Sequence, residues 1–223
     1  MMVFLKAAIF DLDGVIVNTV PLHFKAWKKM FDEYETNFNF TDYKSKVDGI
    51  SRLDGAKNIL NTLSKAELDR AAARKQGYFL EYAQKEGVKV YQGTIDLIKA
   101  LRKKRVKIGV ISASKSCHLI LEMAKIQKLF DVEVNGNDIT RSKPDPQIFL
   151  MALERLDVAT DESVAFEDAQ LGVESARRAE LVTVGVDRHH DPKRLKKATI
   201  IVRDLSELNY DGLKELLEKE RIK

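Results

Sequence analysis

The stretch FDLDGVIVNT at residues 10–19 places two aspartates two positions apart, after an apolar run and directly before a glycine. Successive side chains of a strand alternate between its faces, so Asp11 and Asp13 begin on the same side. Carboxylates held that close repel each other unless a cation lies between them or one carries a proton. The alternative is a turn in which both carboxylates accept hydrogen bonds from backbone amides. The remaining sequence must distinguish the two interpretations.

The composition is that of an ordinary globular protein. The chain has 223 residues, 44% of them hydrophobic and 32% charged, which suffices for one substantial domain or for a domain with a smaller insert. The net charge of +4 is spread over both signs, so it gives little support for nucleic-acid binding. The basic runs at 102–105 and 188–197 are expected to be solvated. We expect a monomer without a nucleic-acid partner.

The sequence carries no signal for a membrane or for an oxidising compartment. No apolar stretch reaches the roughly 18 residues that a membrane-spanning helix needs. The opening segment is too short for a secretory signal peptide. The single cysteine, Cys117, cannot form an internal disulfide. We therefore expect a cytoplasmic protein with no membrane partner.

Short apolar segments rich in β-branched residues predict buried strands. These segments are residues 7–10, 106–112, 163–167, 181–186 and 199–202. Helical patterns separate most of them, at residues 94–105, 116–130, 146–156 and 171–181. Strands that alternate with helices predict a parallel sheet covered on both faces. The predicted fold class is therefore α/β, with a doubly wound parallel sheet.

The segment at residues 21–86 has helical patterns but no convincing strand. The helical patterns lie at residues 21–34, 52–63 and 64–85. Pro21 suits a first helical turn, and Ser64 with Glu67 forms a capping box. A helical block after the first strand predicts an inserted cap. We assign residues 17–87 to a helical cap domain and residues 1–16 and 88–223 to the α/β core.

Polar clusters lie at predicted strand ends, where ligands gather in open parallel sheets. DLD (11–13), SASK (112–115) and EDAQLG (167–172) follow strands, and SKPDP (142–146) precedes a helix. Together with DGVIVNT, these segments resemble, in the same order, the four motifs of the haloacid dehalogenase (HAD) superfamily of phosphotransferases. NTVPLHFKAW, GISR and SASK are most similar to its β-phosphoglucomutase branch. The resemblance extends from about residue 6 to residue 187.

This resemblance implies a HAD-type Rossmann-like core and gives the paired aspartates a chemistry. Asp11 would attack phosphorus and form an aspartyl phosphate, and Asp13 would protonate the leaving oxygen. Mg²⁺ would be held by Asp11, the backbone carbonyl of Asp13 and Asp168, with Glu167 as a further ligand or as a supporting acceptor. Lys143 would supply a second cation. Considered alone, a lysine before a proline turn is more often solvated.

The SASK segment is assigned to phosphate binding through the same resemblance. The hydroxyl of Ser112 and nearby amides would contact the transferred phosphoryl group. Ser114, Lys115 and Ser116 lie at the start of the next predicted helix, where free N–H groups favour an anion. Ser114 could equally be an N-cap only, and the two roles are compatible.

In the predicted cap, the GISR segment resembles the substrate-specificity loop of the branch. It comprises Gly49, Ile50, Ser51 and Arg52. Arg52 is expected to bind the substrate's second phosphate through a bidentate contact. Considered alone, an arginine at a helix start is more often exposed to solvent.

Other residues of the predicted cap match positions that hold Asp13 until the cap closes. These residues are Thr19, His23 and Lys75. The alternative for His23 is a surface residue on an amphipathic helix. Trp27, the single tryptophan, is expected either to line the sugar site or to pack in the core of the cap.

Two positions depart from the pattern of the branch. Asp48 stands directly before Gly49, where close β-phosphoglucomutases often have lysine, and Ser116 stands where they often have asparagine. A carboxylate near a substrate phosphate would repel it unless the carboxylate is turned away or paired. Both positions therefore bear on which sugar phosphate fits.

The resemblance implies a small phosphorylated sugar as substrate and leaves three functions to compare. The first is a mutase that interconverts β-glucose 1-phosphate and glucose 6-phosphate through a bisphosphate. The second is a phosphatase that passes the same phosphoryl group to water. The third is a noncatalytic binding domain, which the intact Asp11, Asp13, Lys143 and Asp168 disfavour. Arg52, His23 and Lys75 favour the mutase over the phosphatase, whereas Asp48 counts against it.

Overall fold

The computed structural model describes residues 4–188 and 190–221. Its strands form one parallel sheet in the order β3-β2-β1-β4-β5-β6. The strands are β1 (Ala7–Asp11), β2 (Lys107–Ile111), β3 (Val132–Val134), β4 (Ser163–Glu167), β5 (Val182–Val186) and β6 (Ile200–Val202). The five predicted strands are confirmed, and β3 was not predicted. β1 lies at the centre, so the strand that carries the paired aspartates has a neighbour on each side.

Most α-helices of the described residues overlap the predicted helical patterns, but the short helix Phe40–Asp42 and the last helix, Tyr210–Arg221, were not predicted. The α-helices are α1 (Val20–Asp32), α2 (Phe40–Asp42), α3 (Arg52–Ile59), α4 (Lys65–Glu86), α5 (Gln92–Lys103), α6 (Cys117–Met123), α7 (Gln147–Leu156), α8 (Gln170–Arg178) and α9 (Tyr210–Arg221). A π-helical segment, Tyr43–Val47, continues α2. None of the described helices is both long and apolar enough to cross a bilayer.

The single helix predicted at residues 116–130 is wrong in its length. α6 ends at Met123, and Lys125 adopts a left-handed backbone with φ 57°. The Ile126 N–H then donates to the Leu121 carbonyl, and the Lys125 N–H donates to the Glu122 carbonyl. These are the two hydrogen bonds of a Schellman motif. Apolar periodicity continues through Ile126 because this residue packs beside the helix it has left.

Both faces of the sheet are covered, as a doubly wound fold requires. Successive residues of β1 belong to different apolar clusters because strand side chains alternate between faces. Phe10 lies in one cluster, where its ring stacks on Phe166 at a centroid distance of 4.3 Å. Ile9 lies in the other cluster with Phe149 of α7. The core is thus two apolar layers that hold β1 in a fixed position.

The segment predicted to be a cap has its own apolar cluster. Trp27 and Phe31 of α1 stack at 5.3 Å and pack with residues of α3 and α4. The predicted capping box at Ser64 and Glu67 begins α4 and is confirmed. The exact domain boundaries at residues 16/17 and 87/88 stay a prediction.

Candidate active site

The carboxyl ends of β1, β2 and β4 bring the predicted core residues together. Asp11 pairs in register with Ile111, and Phe10 pairs with Phe166. The next residues of the neighbouring strands, Ser112 and Glu167, therefore flank the end of β1. The chain leaves β1 through a turn in which Gly14 has φ 82°, and a Cβ there would lie 1.9 Å from Asp168 Oδ2. Only glycine lets this turn pass so close to Asp168.

The side-chain contacts of the paired aspartates favour the cation interpretation over the turn-capping one. Asp11 Oδ1 accepts a hydrogen bond from Lys143 Nζ at 2.6 Å. Asp13 bonds the side chains of Thr19, His23 and Ser112. Within residues 4–188 and 190–221, the hydrogen bonds of both carboxylates thus run to other side chains rather than to the amides of the turn.

Lys143 is a buried cation between two carboxylates. Its side chain is 1% exposed, and its Nζ atom bonds both Asp11 and Glu167. Burial alone would lower the pKa of the ammonium, but the two carboxylates outweigh burial and raise it. Lys143 therefore stays charged beside the nucleophile candidate, and its solvated alternative is wrong.

One lysine does not neutralise the carboxylates that gather here. Ligand oxygens of Asp11, Glu167 and Asp168 lie within 4.8 Å of one another, and all three residues are buried. Burial, followed by repulsion from neighbouring carboxylates, raises the pKa of Asp168 well above its usual value. Burial and repulsion also raise the pKa of Asp11, in spite of Lys143.

This carboxylate cluster fits a Mg²⁺ ion. Asp168 Oδ2 is buried and has no hydrogen-bond partner among the described residues. An unpartnered buried carboxylate oxygen is costly, and a hard divalent cation would satisfy it. Gly172 leaves room for the Glu167 carboxylate, because a Cβ there would lie 2.0 Å from its carboxyl carbon. Asp11 and Asp168 would be ligands, with Glu167 tied to Lys143 beside them.

Mg²⁺ binding provides the first test of this cluster. Asp168→Asn removes the charge of the unpartnered carboxylate while keeping its size. We expect the variant to bind Mg²⁺ at least about tenfold more weakly than the unmodified protein in titration calorimetry without substrate. Asp69→Asn, at an exposed position of α4, serves as the matched control and should leave the affinity unchanged. Equal affinities of the Asp168→Asn variant and the unmodified protein would remove Asp168 from the metal site.

Asp13 lies at one end of a chain of hydrogen-bonded side chains that starts in α4. We call this chain the relay. Lys75 Nζ lies 2.7 Å from His23 Nδ1, and His23 Nε2 lies 3.2 Å from Asp13 Oδ1. Because Lys75 donates to Nδ1, the neutral ring carries its hydrogen on Nε2 and donates it to Asp13. The buried Thr19 hydroxyl donates to the same oxygen. The sequence-predicted set Thr19, His23 and Lys75 is therefore brought together around Asp13.

The relay changes the ionisation of its members. Burial would raise the pKa of Asp13, but His23 and Thr19 lower it to about 2. Burial and the charge of Lys75 lower the pKa of His23. Burial and the charge of Arg52 lower the pKa of Lys75 to about 7. Asp13 is thus ionised and held by its partners in the free protein, while His23 is neutral.

The lowered pKa of Lys75 predicts a pH-dependent stability. Its usual value is 10.5, so between about pH 7 and 10 the unfolded chain binds a proton that the folded chain does not. Stability should therefore rise with pH across this window. We expect the free energy of unfolding to increase by roughly 1–3 kcal/mol between pH 7 and 9 through Lys75, as measured by denaturant unfolding. Lys75→Met should flatten this increase.

Lys65→Met is the control for that experiment, because Lys65 is exposed on the same helix. It should keep the pH dependence of the unmodified protein. An unchanged slope in Lys75→Met would contradict the lowered pKa.

The SASK segment contributes unevenly to the site. Ser112 is buried, and its Oγ accepts a hydrogen bond from the Ser114 N–H at 3.1 Å. Ser114 in turn accepts from the Ser116 N–H at 3.2 Å, in the turn before α6. The N-cap of α6 is Ser116, so the predicted N-cap role of Ser114 is wrong. Lys115 lines an outer groove of about 450 Å³. Ser116 accepts a hydrogen bond from Gln76 of α4 at 2.6 Å.

A chamber of about 60 Å³ lies between these strand ends and the predicted cap. A volume of that size holds roughly four to six waters. The chamber is lined on the core side by Asp11, Asp13, Ser112, Ser114, Lys143 and Asp168, and on the cap side by His23, Trp27, Tyr43, Asp48, Gly49, Ile50, Arg52 and Lys75. Ser51, Lys115 and Ser116 do not line it.

Two cap residues have positions that the sequence left open. Trp27 both lines the chamber and packs in the core of the cap, so its two predicted roles coexist. Ser51 is the N-cap of α3 and accepts from the Asp54 N–H at 3.2 Å. Its predicted substrate contact therefore has no support in its position, because its hydroxyl faces the helix. Arg52 lines both the chamber and the outer groove.

Asp48 and Arg194 form a contact that the sequence did not indicate. The Asp48 carboxylate is 8% exposed and lies 3.3 Å from Arg194 Nη2. Burial raises the pKa of Asp48 to about 6 in spite of this partner. Arg194 belongs to the basic run at 188–197, so the expectation that this run is solvated is wrong at this position. One signal in the sequence pointed to such a residue: a carboxylate at Asp48 would need a partner if it lies near a substrate phosphate.

The comparison with known proteins agrees with this geometry. The model of the haloacid dehalogenase-like hydrolase family matches residues 8–186. The chain belongs to this family. Within the family it lies in the β-phosphoglucomutase-like branch. The β-phosphoglucomutase of Bacillus subtilis (strain 168) is 32% identical, with 98% of each chain covered.

Relatives of similar identity carry out different reactions. The phosphorylated carbohydrates phosphatase of Thermotoga maritima is 30% identical, with 96% of this chain and 100% of the relative covered. The crystal structure of β-phosphoglucomutase from Clostridium difficile superposes with a TM-score of 0.90 at 28% identity, covering 99% of this chain and 100% of that one. The comparisons thus support an enzyme of this family but do not separate a mutase from a phosphatase.

Proposed function

We propose that this enzyme transfers the phosphoryl group of a sugar phosphate through an aspartyl phosphate on Asp11, and that it is a β-phosphoglucomutase. The observation that carries the proposal is that two aspartates line one chamber but have different hydrogen-bond partners. Asp11 bonds a buried ammonium, whereas Asp13 is held by Thr19 and His23. Two carboxylates in different environments take two different roles.

Asp11 is the proposed nucleophile. Its carboxylate oxygen forms a bond to phosphorus while the bond from phosphorus to the sugar oxygen breaks. The electron pair of the broken bond remains on the sugar oxygen, which takes a proton from Asp13. Lys143 holds the attacking carboxylate and offers positive charge to the phosphoryl oxygens. A bound Mg²⁺ would neutralise further negative charge on the same oxygens.

Asp13 is the proposed acid and base. Its carboxylate is ionised while Thr19 and His23 donate to it, so it must exchange these partners for a sugar oxygen before it can act. It gains its proton as a base: it removes the proton of the acceptor hydroxyl while that oxygen attacks the aspartyl phosphate, and it gives this proton to the leaving sugar oxygen in the following transfer. The relay through His23 and Lys75 keeps Asp13 away from a stray water until a sugar fills the chamber.

The mutase cycle needs a sugar that carries phosphate at both ends. Transfer from Asp11 to the free hydroxyl of glucose 1-phosphate gives a bisphosphate, and transfer of its other phosphate back to Asp11 gives glucose 6-phosphate. Arg52 is the proposed contact for the phosphate that is not reacting, since it lines the chamber from the cap side. The chamber of about 60 Å³ is too small for a sugar bisphosphate, so the cap must open to admit it.

A phosphatase is the second candidate, and Asp48 favours it. This carboxylate lines the chamber near the proposed site of the second phosphate. A negative charge there weakens binding of a bisphosphate more than binding of a monophosphate. Water would then be the acceptor, as hydrolysis of a phosphorylated carbohydrate requires. We further propose that the enzyme acts as a monomer in the cytoplasm.

The products formed from β-glucose 1-phosphate separate the two candidates. With Mg²⁺ and a trace of glucose 1,6-bisphosphate, we expect glucose 6-phosphate to appear faster than inorganic phosphate, because the cap excludes water. A coupled dehydrogenase assay and a phosphate assay on the same samples measure both rates. Faster release of inorganic phosphate would favour the phosphatase.

Asp13→Asn tests the division of labour between the aspartates. An amide cannot donate the proton that a poor leaving group needs, so turnover of glucose 1-phosphate should fall roughly 10²–10⁴-fold. Turnover of p-nitrophenyl phosphate, whose leaving group needs no proton, should fall less than about tenfold. Asp11→Asn is the matched control and should lose both activities because its amide cannot form the acyl phosphate. Equal losses on the two substrates in Asp13→Asn would remove its acid role.

A further inference from the structure

An ion pair crosses from the predicted cap to the core beside the chamber. Asp48 follows the π-helical segment Tyr43–Val47, and Arg194 lies in a short 3₁₀ helix, Pro192–Leu195, that follows β5. Arg194 Nη2 lies 3.3 Å from Asp48 Oδ2 and 3.3 Å from the Lys44 carbonyl oxygen. One guanidinium therefore contacts this part of the cap at two points.

Both ends of the pair are fixed to their own side. On the core side, the neighbouring Leu195 is buried and packs against β5, where a Cβ on Gly185 would lie 3.2 Å from the Leu195 Cβ. On the cap side, the Asp48 N–H donates a hydrogen bond to the Tyr43 carbonyl at 3.0 Å, and Tyr43 is buried in the cluster of the cap. A change in the cap-to-core distance would therefore stretch the ion pair rather than bend a loose loop.

Burial makes this contact dependent on closure. The side chains of Asp48 and Arg194 are only 8% and 15% exposed. A buried carboxylate without a partner is costly, whereas both groups regain water if the cap lifts. Asp48 also faces Asp168, whose pKa it helps to raise. Pairing with Arg194 thus lowers the repulsion that this carboxylate exerts on an anion in the closed chamber.

The loop that follows Asp48 also lies close to the core. Gly49 has φ 75°, and a Cβ there would lie 3.0 Å from the Cβ of Ala169, the residue after Asp168. This close approach places Ile50 and Arg52 over the chamber. A cap that shifts at Asp48 must therefore move Arg52 as well.

A second contact across the same seam involves the other departure from the branch pattern. Gln76 Nε2 of α4 donates to Ser116 Oγ at 2.6 Å. The two positions at which this chain departs from close β-phosphoglucomutases thus both contact the opposite side of the seam. Among the residues described, the two side chains are used for closure rather than left open for a phosphate.

We propose that Asp48 and Arg194 form a latch that holds the cap closed over the chamber, and that Arg194 is a positioning residue for Arg52. The latch does not depend on which acceptor takes the phosphoryl group. It rests on the proposed function only in placing the substrate in this chamber.

The position of the single tryptophan gives a test without substrate. Trp27 lines the chamber, so an open cap exposes one edge of its ring to solvent. We expect Arg194→Met to raise the acrylamide quenching constant of Trp27 roughly twofold or more, because the closed population falls. Lys193→Met removes an exposed charge one residue away and should leave quenching unchanged. Thermal unfolding curves confirm that each variant is folded.

Further variants separate a latch from a general loss of packing. Asp48→Asn should increase quenching in the same direction, and the double variant Asp48→Asn with Arg194→Met should add little to either, because the pair is lost once. The exchanged pair Asp48→Lys with Arg194→Glu should recover part of the original value. Additive effects, no recovery in the exchanged pair, or unchanged quenching in Arg194→Met would overturn the proposal.

Steady-state kinetics give a second measurement. With β-glucose 1-phosphate, Arg194→Met should raise KM roughly tenfold and change kcat little, because saturating substrate closes the cap. A loss confined to kcat would contradict a positioning role. If the unmodified protein turns over no sugar phosphate, the proposed function fails, and the quenching experiment still decides on the latch.

Discussion

The repulsion among three buried carboxylates is the constraint on which the rest of this structure depends. Asp11, Glu167 and Asp168 bring their oxygens within 4.8 Å at the ends of two neighbouring strands, and Lys143 is the ammonium that bonds two of them. Burial, together with repulsion from the neighbouring carboxylates, raises the pKa of Asp11 and of Asp168. The two apolar layers on either side of β1 keep the strands in register and so prevent the carboxylates from moving apart. The fold thereby preserves a site that attracts a divalent cation and a phosphate.

The sequence predicted the fold well where apolar periodicity carried the information. The buried strands and the helical insert were visible as patterns because almost every residue in them packs. β3 was missed because it has three residues, of which Val132 and Glu133 are only half-buried, so it lacks an apolar run. The end of α6 was missed because Lys125 takes the left-handed position that glycine more often occupies. Both misses arise where tertiary contacts, rather than local pattern, decide the structure.

The residues of the site also differ in how well the sequence predicted them. Asp11, Asp13 and Asp168 could be placed together because parallel strand ends meet at one edge, and the family resemblance added Lys143, Thr19, His23 and Lys75. The resemblance could not place side chains that turn away from the chamber, such as Ser51, whose hydroxyl caps α3. Arg194 was hidden because its partner lies 146 residues earlier in the chain and because a charged run is usually solvated. Such a contact is specified by how cap and core meet.

The cap has to satisfy two opposing requirements, and its seam reflects both. The proposed phosphoryl transfer needs a closed chamber that excludes water, whereas the turning of the sugar in the proposed mutase reaction needs a cap that opens in every cycle. A wholly apolar seam would favour the closed cap whether or not a substrate is bound. At Asp48 and Arg194 the seam is instead polar and slightly exposed, so opening returns both charges to water and lowers the cost of separating them. Because Arg52 follows Asp48 so closely, the same movement that opens the chamber also withdraws the guanidinium that would retain the second phosphate, which couples closure to substrate binding.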